Sequence, residues 1–351
     1  MSAPAPAPPL PPLPPSPPSP PSPPSPPLLR NPIGFLLVPE FAVIALASAI
    51  EPLRIANRYI ARPYRWTLLS LDGRAVVDDN GIPIQPQRAL GDAGPLGTLI
   101  LCADIRPERV YSRGLRARLH ALDAAGATLG ALDTGVFLLA RAGLLDGCRV
   151  TTHWEVIDAF RERFPRIAVS QTLFEVGPRR LTCAGGTAAL DMMLNAISAD
   201  HGLPLANRVA EHCLHDRIRS GDAAQRMALP LRARIHHPRL ADAVRHLERT
   251  LDAPVRLADL AQRTGLSVRQ LLRLFSSHLG EGPAQFHRRL RIEHARTLLR
   301  NSELTVTDAA VATGFESVAH FCRAYRAQYG RSPGEDRRGA GPARPLLRDL
   351  A

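Results

Sequence analysis

The 351-residue chain contains no lysine: all 44 of its basic residues are arginine. With the heavy Ala, Gly and Pro load, this reads as a codon-composition bias and carries no structural message. Cysteine is scarce, and Cys102, Cys148, Cys183, Cys213 and Cys322 are odd in number, widely spaced and without a C-x-x-C pair. That pattern excludes a disulfide framework and a zinc site of ordinary spacing, and it points to a reducing compartment, the cytoplasm. No apolar run approaches eighteen residues, which excludes a transmembrane helix. The first 29 residues, MSAPAPAPPLPPLPPSPPSPPSPPSPPLL, lack the basic start and proline-free apolar stretch of a secretion signal. They read as a polyproline-type disordered tail, placed at residues 1–31.

The length suggests about two domains. Residues 231–351 hold 21 arginines against 12 carboxylates, a net of +9, leaving only +3 of the total +12 for everything before them. A basic carboxyl-terminal third implies a polyanionic partner.

Over residues 32–218 short apolar runs alternate with amphipathic helical stretches. IGFLLV, RWTLLSL, GTLILCAD, ATLGALD and CRVTTHW have strand length. AVIALASAIEPLRIANRYI, PERVYSRGLRARLHALDAAG and GTAALDMMLNAISADHG have helical spacing. This predicts an α/β domain, a doubly wound, flavodoxin-like parallel sheet with helices on both faces. Residues 219–237 have linker composition, residues 238–338 read as all-α, and residues 339–351 as a flexible tail.

The helical part is internally repeated. Leu271, Arg273, Phe275, Gly280 and Pro283 recur fifty residues on as Phe321, Arg323, Tyr325, Gly330 and Pro333, and the turn glycines Gly265 and Gly314 are forty-nine apart. Each copy has a short helix (LADLAQRT or VTDAAVAT), a glycine suited to the left-handed conformation, a serine cap and a second helix with aromatic or leucine side chains inward at i and i+4. These are helix-turn-helix units, and PAQFHRRLRIEHARTLLR between them predicts a rigid connecting helix. The outward residues of the second helices are Arg269, Gln270 and Arg273, then Ser317, Ala319, His320 and Arg323. Arg273 and Arg323 are the best guanine readers, because a guanidinium can donate two bonds to one base edge. Arg288, Arg289, Arg291, Arg326 and Arg331 are assigned to phosphates.

Residues 238–338, and GFESVAHFCRAYRAQYGRSP above all, closely resemble the AraC/XylS family of bacterial transcription regulators. The resemblance implies a double helix-turn-helix on promoter DNA, with RNA polymerase as a partner and a homodimer as the assembly. The amino-terminal domain resembles the PfpI-like, or class I glutamine amidotransferase-like, superfamily through ALDTG at a strand-to-helix turn, GCRVTTHW, and LTCAGGTAALDMML. Together these identify the GlxA-type branch of AraC regulators.

In the enzymes of that superfamily the turn carries a cysteine, followed by a histidine after the next strand and a glutamate from an early loop or helix. Carried over, the cysteine place is Asp133, the histidine place His153, and the glutamate Glu40 or Glu51. With the thiol gone, the resemblance implies a pocket without catalysis and without a cofactor, retained for sensing a small molecule. Asp133 is expected to supply a fixed negative charge. Trp66 and Trp154 either belong to the core or offer faces to a quaternary amine or a guanidinium, the kind of effector the branch answers to. Thr134 is expected to line the pocket, His153 is a pocket donor or a core histidine, and Thr187 starts a ligand-binding helix or is simply its cap.

Overall fold

The computed structural model describes residues 27–104, 107–226, 235, 237–301 and 304–338. The expected proline-rich tail up to residue 26, part of the linker and the tail from 339 lie outside the described residues.

The first domain is built on a seven-stranded sheet. Its strands are β1 (Ile33–Leu37), β2 (Trp66–Ser70), β5 (Arg88–Ala89), β6 (Thr98–Ala103), β7 (Thr128–Asp133), β10 (Phe174–Val176) and β11 (Arg180–Cys183), in the order β10-β11-β7-β6-β1-β2-β5. Every pairing is parallel except β10 with β11. The alternation along each strand sorts the side chains onto two cores. Ile33, Phe35 and Leu37 of β1 and Ile100 of β6 join one, with α1 (Val43–Ala56), α5 (Ala188–His201) and α6 (Leu203–His212). Leu36 of β1 and Leu99 and Leu101 of β6 join the other, with α2 (Arg113–Ala124), α3 (Val136–Arg141) and α4 (Ile157–Arg163). Strands buried on both faces are therefore the near-continuous apolar runs seen in the sequence.

The structure departs from the expected pattern in three places. CRVTTHW does not enter the main sheet: β8 (Arg149–Thr151) pairs with β9 (Ala168–Ser170), because the Thr151 amide donates to the Thr182 hydroxyl at 2.9 Å instead of to the backbone of β11. Residues 28–31 are docked rather than part of a tail. The Leu28 and Arg30 amides donate to Asp200 Oδ1 (2.7 Å) and Thr98 Oγ1 (2.9 Å), and Leu29 is buried. Residues 219–226 are likewise packed on the α/β domain, as described below. A hairpin, β3 (Val76–Val77) and β4 (Pro83–Ile84), escaped the sequence reading because its strands are two residues long.

The second domain holds α7 (Pro238–Arg249), α8 (Leu257–Thr264), α9 (Val268–Leu279), α10 (Pro283–Asn301), α11 (Val306–Ala312), α12 (Val318–Tyr329) and α13 (Pro333–Arg338). The expected repeat is met in backbone geometry: α9 and α12 begin fifty residues apart and both end at left-handed glycines, Gly280 (φ +73°) and Gly330 (φ +71°). The turns between helices are left-handed at Gly265 (φ +64°) and Gly314 (φ +70°), which a side chain would strain. Ser267 and Ser317 cap the second helices by accepting from the amides of Gln270 and His320.

Each unit has its own core, and α10 serves both. Phe286 and Leu290 pack with Leu271 and Phe275 of the first unit, and Ile292, Ala295 and Leu299 with Phe321 and Tyr325 of the second. At about 1.5 Å per residue, this one helix spans about 28 Å. Among the described residues no helix is long and apolar enough to cross a membrane.

Candidate functional site

Asp133 ends β7 with φ +55°, a conformation that costs a non-glycine residue of order 1–3 kcal/mol and persists only where its surroundings impose it. The surroundings are explicit. The Thr152 hydroxyl donates to Asp133 O at 2.8 Å, the Gly135 amide donates to Leu132 O at 3.0 Å, and Thr134 Oγ1 donates to Asp104 O. Two glycines make the space. A Cβ on Gly135 would lie 2.6 Å from Leu101 O, and one on Gly185, at φ +90°, would lie 2.3 Å from Asp133 Oδ2. The strand-to-helix turn expected at ALDTG is therefore present, strained at Asp133 and closed over by the glycine turn of LTCAGGT.

The carboxyl group itself differs from expectation. Asp133 is 6% exposed, and its Oδ1 has no hydrogen-bond partner. Burial, with Asp104, Glu155 and Asp79 nearby, holds its pKa well above the ordinary range, outweighing the Thr134 amide that favours ionisation. Its ionised form is thus disfavoured, where the sequence led to the expectation of a fixed negative charge. Asp104, at the end of β6, is pushed up to about 6 by burial and by Asp79, Glu155 and Glu40. Asp79 is raised by burial and by Asp78.

Five carboxyl groups from five segments therefore share one electrostatic neighbourhood at the carboxyl end of the sheet. The loop after β1 brings Glu40, and the β3–β4 turn brings Asp79, because the Glu40 amide donates to Val77 O and the Asp79 amide to Phe41 O. The ends of β6 and β7 supply Asp104 and Asp133, and the 3-10 turn Trp154–Val156 supplies Glu155. Sequence reasoning missed Asp79, Asp104 and Glu155. Asp104 was within reach, since it directly follows a strand that ends beside the Asp133 strand. Among the described residues no group of three or more His, Cys, Asp or Glu is arranged to hold a metal ion.

The other expected pocket residues are dispersed. Glu51 pairs with Arg54 on the exposed side of α1, so of the two glutamates only Glu40 is near the turn. Trp66 starts β2, opposite Ile33, and packs on the core at the end of the sheet away from Asp133. Trp154 is adjacent to the site, but the guanidinium of Arg226 lies over its ring, 4.0 Å from the centroid. His153 stands 5.3 Å from that ring between centroids, with its Nδ1 3.9 Å from Glu155, and burial lowers its pKa. Thr187 caps nothing with its side chain: its hydroxyl accepts from Arg219 Nη2 at 2.9 Å.

On the helical domain Arg269, Arg273, Ala319, His320 and Arg323 are exposed on α9 and α12. Gln270 and Ser317 are exposed too, but both serve as caps, the Gln270 Oε1 accepting from the Ser267 amide at 2.9 Å. Of the arginines assigned to phosphates, Arg288, Arg326 and Arg331 are exposed. Arg291 is not available: it is 8% exposed, donates to Thr313 O at 2.6 Å and stacks on Phe315 at 4.4 Å. Arg289 is held by Glu281 and Glu293 and stacks on Phe286, and Arg331 is 3.6 Å from Asp336. Helical periodicity places an arginine on a face but does not show which neighbour takes it.

The two regions touch. The α10 helix packs against the Trp154–Val156 turn and α4, where His294 Nε2 lies 3.8 Å from Asp158 Oδ2. The helix that carries both DNA-reading units thus rests on the segment that leaves the Asp133 site.

A helix-turn-helix domain model matches residues 260–339. The chain is 43% identical to the HTH-type transcriptional regulator CdhR of Pseudomonas aeruginosa, over 86% of this chain and 90% of that protein. It is 35% identical to the HTH-type transcriptional regulator GlxA of Rhizobium meliloti, over 88% of this chain and 96% of that protein. A solved AraC family regulator from Pseudomonas putida superposes on 52% of this chain and 98% of its own, with TM-score 0.48 and 28% identity. With its duplicated helix-turn-helix region behind an amino-terminal α/β domain, the chain belongs to the AraC family of helix-turn-helix transcriptional regulators.

Proposed function

We propose that this regulator is controlled by a small cationic metabolite, a quaternary amine or a basic amino acid, bound beside Asp133. The observation that carries the reading is the buried Asp133 carboxyl with an unpartnered oxygen, set among four further carboxyl groups. Such a cluster is disfavoured in its ionised form; a cation placed among its members relieves the repulsion, and one that carries N–H groups also supplies the missing partner. A buried carboxyl whose ionised form is disfavoured is a poor nucleophile, which supports a non-enzymatic role with Asp133 in the superfamily's cysteine place.

In this reading α9 and α12 enter successive major grooves, with Arg273 and Arg323 on guanines and Arg288 and Arg326 on phosphates. The protein acts in the cytoplasm as a homodimeric activator that positions RNA polymerase at its promoter. The contact between α10 and the Trp154–Arg163 segment supports a direct route from effector to DNA.

The test measures anisotropy of labelled upstream DNA with and without tetramethylammonium, glycine betaine or L-arginine, at constant ionic strength because the DNA affinity itself is salt-dependent. At least one of these compounds is expected to change the DNA affinity of the natural protein and not of Asp133→Ala. Equal responses in both proteins would remove Asp133 from the pocket.

A further inference from the structure

Residues 219–226, expected to be linker, form a strap across the α/β domain. Its first residue is bolted down: Arg219 donates from N and Nε to the fully buried Asp191 at 2.7 and 2.8 Å, and His215 meets the same carboxylate at 2.8 Å. Gly221 O accepts from the Leu173 amide at 3.0 Å, and Ala224 bridges to Thr172. The Gln225 amide nitrogen then donates to Thr151 Oγ1, Thr152 O and Thr172 O at 2.8–3.0 Å. Thr152 is the residue whose hydroxyl holds the Asp133 backbone. The last described residue of the strap, Arg226, lays its guanidinium on Trp154. Beyond it the chain reaches Ile235, which is already part of the first helix-turn-helix core.

We propose that Arg226 is a tethered cation occupying the aromatic half of the effector site, and that the effector displaces it. This rests on the cationic-effector reading above. An indole face accepts one cation at short range, so an incoming quaternary amine or guanidinium competes with Arg226 for Trp154. Arg226 also lies within electrostatic reach of His153, on the side of the site where Glu155 stands. Displacement frees the end of the strap that leads into the DNA-binding domain, and it does so at the turn on which α10 rests. Arg226 thereby sets the effector's apparent affinity: an intramolecular competitor lowers it by the fraction of time the site is taken.

The experiment titrates full-length protein with tetramethylammonium chloride against matched sodium chloride. The readout is Trp154 fluorescence in a Trp66→Phe background, with chymotryptic cleavage between the domains followed in parallel. Arg226→Ala is expected to bind about 2- to 30-fold more tightly than the Arg226 protein, the range of one cation–π contact. Arg226→Lys should stay close to the Arg226 protein. Saturating probe should speed cleavage of the Arg226 protein and leave the already fast Arg226→Ala unchanged. Arg226 is exposed, so Arg226→Ala is expected to keep the far-ultraviolet circular dichroism of the natural protein, and Arg226→Gln provides an independent neutral variant. Equal affinities for the Arg226 protein and both neutral variants overturn the tethered-cation proposal while the cation pocket stands. Absence of any fluorescence response in all variants overturns the pocket reading, and the proposal with it.

Discussion

Two buried aspartates, one in each region, sit in opposite circumstances. Asp336, at 1% exposure in the helical domain, accepts from the Tyr325 hydroxyl at 2.8 Å and Arg296 Nε at 2.7 Å, and with Arg331 nearby its pKa is lowered. Asp133, at 6% exposure in the α/β domain, has an oxygen without a partner, acidic neighbours and a raised pKa. The same side chain is framework in one place and an unfinished site in the other. Burial does not separate the two roles; the supply of partners does. The arginines divide the same way, with Arg291 consumed by Thr313 O and Phe315 while Arg273 and Arg323 stand exposed.

The largest effect is expected from breaking the completed case. Asp336→Ala strands Arg296 and the Tyr325 hydroxyl and should cost about 3–5 kcal/mol of stability, read by urea unfolding of the full chain; a loss below about 1 kcal/mol would show the ion pair to be peripheral. Next, Arg273→Ala and Arg323→Ala should each cost about 1–3 kcal/mol in binding to the natural site and relax specificity there. Arg291→Ala is expected instead to lower the melting temperature, without a selective loss of base discrimination.

The unfinished case predicts a pH dependence of definite sign. Asp104 and Asp133 have raised pKa values, so the folded protein holds protons that the unfolded chain releases above about pH 4. Their contribution to stability is complete below that pH and is lost as pH rises, through about 6 for Asp104 and through its own raised pKa for Asp133. Asp336 runs the other way, losing its contribution as pH falls through its lowered pKa. Melting temperature followed from pH 4 to 8 should therefore fall less in Asp104→Asn and Asp133→Asn than in the natural protein. Tetramethylammonium should bind more tightly as pH rises. Parallel curves for all three proteins would contradict the site electrostatics. The smallest effect is expected at a phosphate contact, where Arg326→Ala should reduce the salt slope of DNA binding by about one unit.

The helix-turn-helix units were legible in the sequence because their determinants are local. A left-handed glycine, a serine cap and an i, i+4 apolar pair lie within a dozen residues of one another, and the fifty-residue repeat marks them twice. The α/β core was legible for a related reason, since strands buried on both faces are continuous apolar runs. The elbow at Asp133 was also visible, as a strand that turns abruptly into a helix. The pocket was not. Glu40, Asp79, Asp104 and Glu155 come from separate segments and meet only because parallel strands end at one edge of the sheet. Trp66 stayed open between core and pocket because a strand-length run does not show at which end of the sheet its tryptophan lies. Arg226 was hidden in linker composition, and only the hydrogen bonds of Gln225 and Ala224 show that the segment is strapped down.

By itself, the sequence determined the two-part architecture and the duplicated DNA-reading frame, since these follow from periodicity, capping and turn chemistry over short spans. Tertiary structure alone decided that ionisation of the Asp133 carboxyl is disfavoured and that Arg226 covers Trp154. Protonation depends on desolvation and on the charges that folding brings together, and neither quantity is written in the order of the residues.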